Sequence, residues 1–327
     1  MKLMLAGGIL AAHLLSFGTP ITSTSAADAV YVVNNSASPH IDEYTTAGVF
    51  VRTLSGGPAN VLFWNGLAFG ADGYLYATDT FNCISNNCDN EVEKFDPRTG
   101  AYLGAVGSIN ASTVPYSGVT NMAVSLNGLA LGPGGSLYVT TNQLGLYKID
   151  PVGNTTIPIS PADCCTYGVA FMPDGTPLSV DASQNAIRND LTGTAFNTGF
   201  FTSAIAVAFG PDGRLYVLED HQIDTLPSTG GAITPLTALN ALSLGAFETF
   251  DEHGNIWVTD RDNGVVEFNS VTGQEISSFA AGSASEFSGI AVGPYSSVSP
   301  VPESSTFALT LTALLIATAS YRRKNLG

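Results

Sequence analysis

Six polar positions stand out because they recur. Asn34, Asp79, Thr141, Asp181, Glu219 and Asp260 each close a short run of apolar and β-branched residues. Four of the six are carboxylates. Asp and Asn at such positions commonly cap their own turn by accepting backbone N–H bonds. Gathered on one rim, they would form an acidic edge able to hold a hard cation such as calcium. A second set recurs eight residues before a glycine: Asn65, Asn127, Tyr167, Ile205 and Ala246, with Ser288 as a sixth member. Two amides, a phenol and a hydroxyl on one ring would bind polar groups, and a metal there would lack charged ligands.

Nucleophile and acid–base sets are sparse. Besides His13, the histidines are His40, His221 and His253. Glu219-Asp220-His221 sets acids beside an imidazole near the rim, an arrangement able to act as an acid–base pair, and it also reads as a solvated loop. There is no GxSxG elbow, Walker loop, HExxH pair or dinucleotide fingerprint. Cys83 and Cys88 bracket a polar loop, and Cys164 and Cys165 are neighbours. The two outer cysteines could close a small ring or pair with the adjacent two; disulfides suit an oxidising compartment better than zinc does, since no histidine has ligand spacing to them.

These residues are placed by a repeat. The phrases NGLAFGADGYLYATD, NGLALGPGGSLYVTT, YGVAFMPDGTPLSVD, IAVAFGPDGRLYVLE and AFETFDEHGNIWVTD follow one another along the chain. Their turn glycines are Gly73, Gly135, Gly175, Gly213 and Gly254, at spacings of 62, 40, 38 and 41 residues. A period near 40 without helical patterning predicts propeller blades of four antiparallel strands. Residues 30–54 supply second, third and fourth strands without a first, and Ser288–Pro294 supplies a first strand with nothing after it. Joining these partial units closes an all-β, six-bladed β-propeller over residues 30–295 and removes the exposed edges of an open sheet. The rim carboxylates and the insertions Phe81–Asn90 and Gly107–Leu126 then share one face.

The blade GNIWVTDRDNGVVEFNSVTGQEISSF resembles an NHL repeat, as does the blade from Gly73 to Val106. The ring of Asn65, Asn127, Tyr167 and Ser288 is similar in position to the metal ligands of calcium-dependent gluconolactonases. That resemblance implies a calcium-dependent lactonase-like hydrolase or lyase, though Ala246 and Ser288 stand where acids are expected.

Both chain ends read as addresses. Lys2, an apolar run from Leu3 to Phe17 and small residues up to Ala29 have the layout of a secretory signal peptide over residues 1–29, with cleavage after Ala27 or Ala29. Residues 296–327 form a linker and tail. Val301-Pro302-Glu303 precedes an uncharged stretch, Thr306–Tyr321, and then Arg322, Arg323 and Lys324. Sixteen residues as a helix reach about 24 Å, short of a roughly 30 Å hydrocarbon core, which suits transient insertion in the inner membrane. The order resembles the PEP-CTERM sorting signal of Gram-negative bacteria, with Ser304 in place of the second proline. The resemblance implies processing by an exosortase, release to the cell surface or beyond, and an association with exopolysaccharide.

The chain carries 11 Lys and Arg against 27 Asp and Glu, a net charge of −16. Such a surface repels phosphate backbones and excludes nucleic acid as a partner. The sequence therefore predicts an exported propeller that binds a partner, exopolysaccharide or a surface protein, with a metal-dependent lactonase or lyase as the alternative.

Overall fold

The computed structural model describes residues 28–36, 38–58, 61–81, 90–109, 125–160, 165–198, 201–238, 240–243, 245–281 and 287–294. The predicted signal peptide up to Ala27, Cys83, Cys88, Cys164 and the tail bearing Val301, Pro302, Glu303, Arg322 and Arg323 lie outside these residues. Among the described residues no helix is long and apolar enough to cross a membrane.

Six four-stranded antiparallel sheets make the six blades. The first holds β1 (Asp28–Asn34), β2 (His40–Thr45) and β3 (Phe50–Thr53). The second holds β4 (Val61–Phe69), β5 (Leu75–Phe81), β6 (Asn90–Asp96) and β7 (Ala101–Ile109), and the third β8 (Leu126–Leu131), β9 (Leu137–Thr141), β10 (Gly145–Asp150) and β11 (Thr155–Pro158). The fourth holds β12 (Thr166–Phe171), β13 (Pro177–Asp181), β14 (Ala186–Asn189) and β15 (Thr194–Ala195). After a short β16 (Asn197–Thr198) come β17 (Ala204–Phe209), β18 (Leu215–Glu219) and β19 (Ile223–Leu226) of the fifth blade. The brief β20 (Gly231–Ala232) pairs with β16 in parallel, and β21 (Thr234–Pro235) completes the fifth blade. The sixth holds β22 (Gly245–Phe250), β23 (Ile256–Asp260), β24 (Gly264–Phe268) and β25 (Glu275–Phe279). The last strand, β26 (Phe287–Pro294), pairs antiparallel with β1 from Asp28↔Pro294 to Asn34↔Phe287 and closes the ring in the first blade, as the sequence predicts.

In the second to sixth blades the turn between the first and second strands explains the repeated phrase. Gly73, Gly135, Gly175, Gly213 and Gly254 all sit between φ +76° and +87°, backbone that an L side chain rarely adopts. A preceding turn Asp reaches forward to the aromatic of the second strand. Tyr76 donates to Asp72 at 2.8 Å, Tyr216 to Asp212 at 2.9 Å, and the Trp257 indole N–H to Asp251 at 3.0 Å. Each buried ring thereby keeps a partner for its polar tip.

The core is not one mass but six clusters, each joining neighbouring blades. The same aromatic pair recurs across these joints. Tyr31 meets Phe69, Tyr138 meets Phe171 and Tyr216 meets Phe250, all edge-to-face with ring centroids 4.6–5.6 Å apart. Fully burying a large apolar side chain stabilises by ~1.5–3 kcal/mol, so these joints hold the ring together.

Candidate functional site

The rim positions fold inward. Asn34, Asp79, Thr141, Asp181, Glu219 and Asp260 are all buried, at 7% exposure or less. Most cap their own turns. Asn34 Oδ1 accepts from the Ser36 N–H at 3.1 Å. Thr141 Oγ1 accepts from the Leu144 N–H at 2.7 Å. Asp181 Oδ1 accepts from the Ser183 hydroxyl at 2.6 Å and the Gln184 N–H at 3.1 Å. Asp260 takes the Ser243 N–H and hydroxyl at 2.7 and 2.6 Å, and the N–H groups of Asp262 and Asn263 at 3.1 and 2.8 Å. Glu219 accepts from the Thr202 N–H at 3.1 Å and so ties β18 to the segment that enters β17. The run Glu219-Asp220-His221 does not assemble as an acid–base pair: the carboxylate is buried, while His221 is exposed with Nδ1 3.4 Å from the Leu242 carbonyl.

The second ring joins blades. Asn65 Nδ2 donates to the Leu126 carbonyl at 2.5 Å, and Asn127 Nδ2 to the Thr166 carbonyl at 2.7 Å. Asn35 does the same one blade earlier, donating to the Trp64 carbonyl and accepting from its N–H, both at 2.8 Å. Tyr167 is partly exposed, at 36%. The Ser288 side chain lies outside the described residues. One residue further along, the inner strands nearly touch. A Cβ on Gly66 would sit 2.7 Å from the Asn127 carbonyl oxygen, one on Gly128 2.8 Å from the Gly168 Cα, and one on Gly168 2.8 Å from the Ala206 Cα. Glycine is what lets the backbones approach there, and the sequence signal was present in the pairs Asn65-Gly66, Asn127-Gly128, Tyr167-Gly168 and Ser288-Gly289.

The open volume lies at the other end of the channel, on the face of the glycine turns. A cavity of about 420 Å³ is lined by the second halves of the six inner strands, including Leu67–Phe69, Leu129–Leu131, Val169–Phe171, Val207–Phe209, Glu248–Phe250 and Ile290–Val292. Phe69, Phe171, Phe209 and Phe250 stand at equivalent places round it, and Leu131, 40% exposed, takes the same place in the third blade. A ring of large apolar side chains thus frames the chamber.

One carboxyl interrupts that wall. Six residues before each turn glycine the chain has Leu67, Leu129, Val169 and Val207, but Glu248 in the sixth blade. Both Glu248 carboxylate oxygens are shut off from solvent without a hydrogen-bond partner, although its stem keeps partial exposure. Burial pushes its pKa up to about 8; the nearby Leu218 and Ala208 amides pull the other way without completing a hydrogen bond. A neutral carboxyl there is both a donor and an acceptor. Reading the repeat for polar rings missed Glu248, because the anomaly is a single acid in an aliphatic row.

A different carboxylate group gathers on the second blade. Asp79, Glu91 and Glu93 bring carboxylate oxygens within 4.8 Å of one another; Asp28, Glu252 and His253 likewise bring two carboxylate oxygens and an imidazole nitrogen together, the last two residues being exposed. Only Asp79 of the first trio is singled out by the repeat. Glu91 and Glu93 come to it across the β5–β6 ladder, where Ala77 faces Glu93.

The fold defines the class: an all-β, six-bladed propeller. No protein-family model matches the chain, and no curated protein matches its sequence. Solved structures do match in shape. A chain of a nidogen/laminin complex aligns over 82% of this chain and 99% of its own, at TM-score 0.64 and 16% identity. A protein of unknown function from Bacteroides caccae aligns over 81% and 98%, at TM-score 0.57 and 13% identity. A virginiamycin B lyase from Staphylococcus aureus aligns over 79% and 86%, at TM-score 0.50 and 16% identity. At such identities the likeness is one of fold, and the fold alone carries no activity.

Proposed function

We propose that this chain is an exported propeller that binds its partner without transforming it, and that the chamber on the glycine-turn face is where it binds. The observation that carries the reading is the shape and chemistry of that chamber: about 420 Å³, framed by aromatic and aliphatic side chains, with one buried carboxyl at Glu248. A concave apolar site with few polar groups is the usual form of a ligand pocket. Partly exposed phenylalanine faces suit the apolar face of a sugar ring. Exopolysaccharide, or a surface protein presenting such a face, is therefore the partner class.

The lactonase-like alternative leans on Asn65 and Asn127, whose amide nitrogens already join neighbouring blades. The rim carboxylates Asp181 and Asp260 are likewise engaged in closing their own turns. Export, with exosortase trimming of the tail and delivery to the cell surface of a Gram-negative bacterium, completes the proposal and rests on the two chain ends. The purified protein applied to an array of matrix polysaccharides and surface proteins tests it. Binding that falls about tenfold or more in Phe209→Ala, whose ring lines the chamber, is the expected result. Retention of no component of the producing organism's matrix, or binding that Phe209→Ala leaves unchanged, would sink it.

A further inference from the structure

The carboxylate trio of the second blade is unusual in what it leaves unmatched. Asp79 and Glu93 are both fully buried. Asp79 Oδ1 accepts from the Glu91 N–H at 2.6 Å, and Glu93 Oε2 from the Tyr102 hydroxyl at 2.8 Å. The other oxygens, Asp79 Oδ2 and Glu93 Oε1, are sealed from solvent and meet no donor. Arg52, Lys94, Arg98 and Arg214 pair with Glu43, Asp72, Asp96 and Asp212.

Equivalent corners in other blades are built differently. In the fifth blade Glu219 takes the place of Asp79, and Asp224, opposite Val217, takes the place of Glu93. There Gln222, two residues before Asp224, turns its amide onto both Asp224 oxygens at 3.1 and 3.2 Å. The second blade has Glu91 at that place, so a third acid replaces the donor. In the fourth blade the residue opposite Ser179 is Arg188, a cation where the second blade has Glu93. The second blade alone among these three supplies acids at all three places.

We propose that Asp79, Glu91 and Glu93 hold one calcium ion at the β5–β6 corner. Oxygen-only donors from three carboxylates match a hard divalent cation, and calcium accepts irregular coordination completed by water. The ion supplies the positive charge that Gln222 and Arg188 make unnecessary elsewhere. It clamps the second strand of this blade to the third, and it is separate from the chamber that contains Glu248. Like-charged carboxyls so close would otherwise be forced to keep protons.

Calcium itself is the probe, added to the purified protein after EDTA treatment. The expected result is one ion per chain by calorimetry, with a melting temperature raised by about 5 °C at a hundredfold excess over Kd. Terbium in the site should show tyrosine-sensitised emission that Tyr102→Phe reduces, since that phenol touches Glu93. Glu91→Gln, at a partly exposed position, should weaken calcium binding about tenfold or more, and Asp79→Asn with Glu93→Gln should abolish it. Should the double variant fail to fold, Glu91→Gln and the wild-type stoichiometry decide. No stoichiometric ion, together with a melting temperature indifferent to calcium and EDTA, overturns the proposal and leaves a carboxyl pair sharing a proton.

Discussion

Glu248 concentrates the residue-scale physics of this protein. Burial disfavours its charged form and pushes its pKa from 4.5 up to about 8. Asp190 behaves alike, pushed up to about 7 by burial while Ser179 donates to it at 3.0 Å. A raised carboxyl binds its proton more tightly when folded than when unfolded. Its stabilising effect is therefore complete below about pH 4, and it is lost as pH rises through the folded value. Stability is expected to decline from pH 5 to pH 9. Glu248→Gln should flatten that decline, raising stability at pH 8 by ~1–3 kcal/mol and changing little at pH 5. Denaturant unfolding of both forms across the pH range measures it, and parallel curves would contradict the assignment. Single residues of this kind were hard to read from sequence. The repeat displays what recurs, whereas Glu248 matters because it departs from Leu67, Leu129, Val169 and Val207.

At the level of strands and turns the sequence was far more legible. Turn glycines and alternating second strands fix the blade, because a positive φ and a two-residue period leave few other folds. The rim residues were found for the same reason, since each ends a second strand. What the repeat could not show was pairing across the ladder. Glu91 and Glu93 are distant from Asp79 by a long connection, and register alone brings them together. The position of the cavity was hidden too, because it depends on how closely inner strands approach at Gly66, Gly128 and Gly168. Capping predicts an element-scale outcome. Asp260 accepts four hydrogen bonds from Ser243, Asp262 and Asn263. Asp260→Ala should cost ~2–4 kcal/mol, more than an ordinary cap, because it strips a buried turn of its acceptor. Chemical denaturation reads this directly, and a loss below ~0.5 kcal/mol would mean that water replaces the carboxylate.

The whole molecule is a ring whose joints are similar in kind and whose closure falls to its two ends. Ala29 is fully buried and lies between Thr45 and Gly293 in the closing sheet. A chain beginning at Asp28 retains all of β1, whereas one beginning at Val30 lacks two residues of it. Processing after Ala27 is therefore the cleavage that spares the sheet. The shorter chain should unfold at a lower denaturant concentration, by ~1–2 kcal/mol, through the lost ladder bonds and the buried methyl group. Equal midpoints for the two would show that the first two residues contribute nothing.

The Asp28↔Pro294 pairing also sets a clock. β1 finds β2 at once, but its other neighbour, β26, comes about 250 residues later. Contacts of such long sequence separation form slowly, and the ring cannot close while β26 is still being synthesised. The propeller is therefore finished by one of the last described segments, and until that strand docks its first blade keeps one edge open.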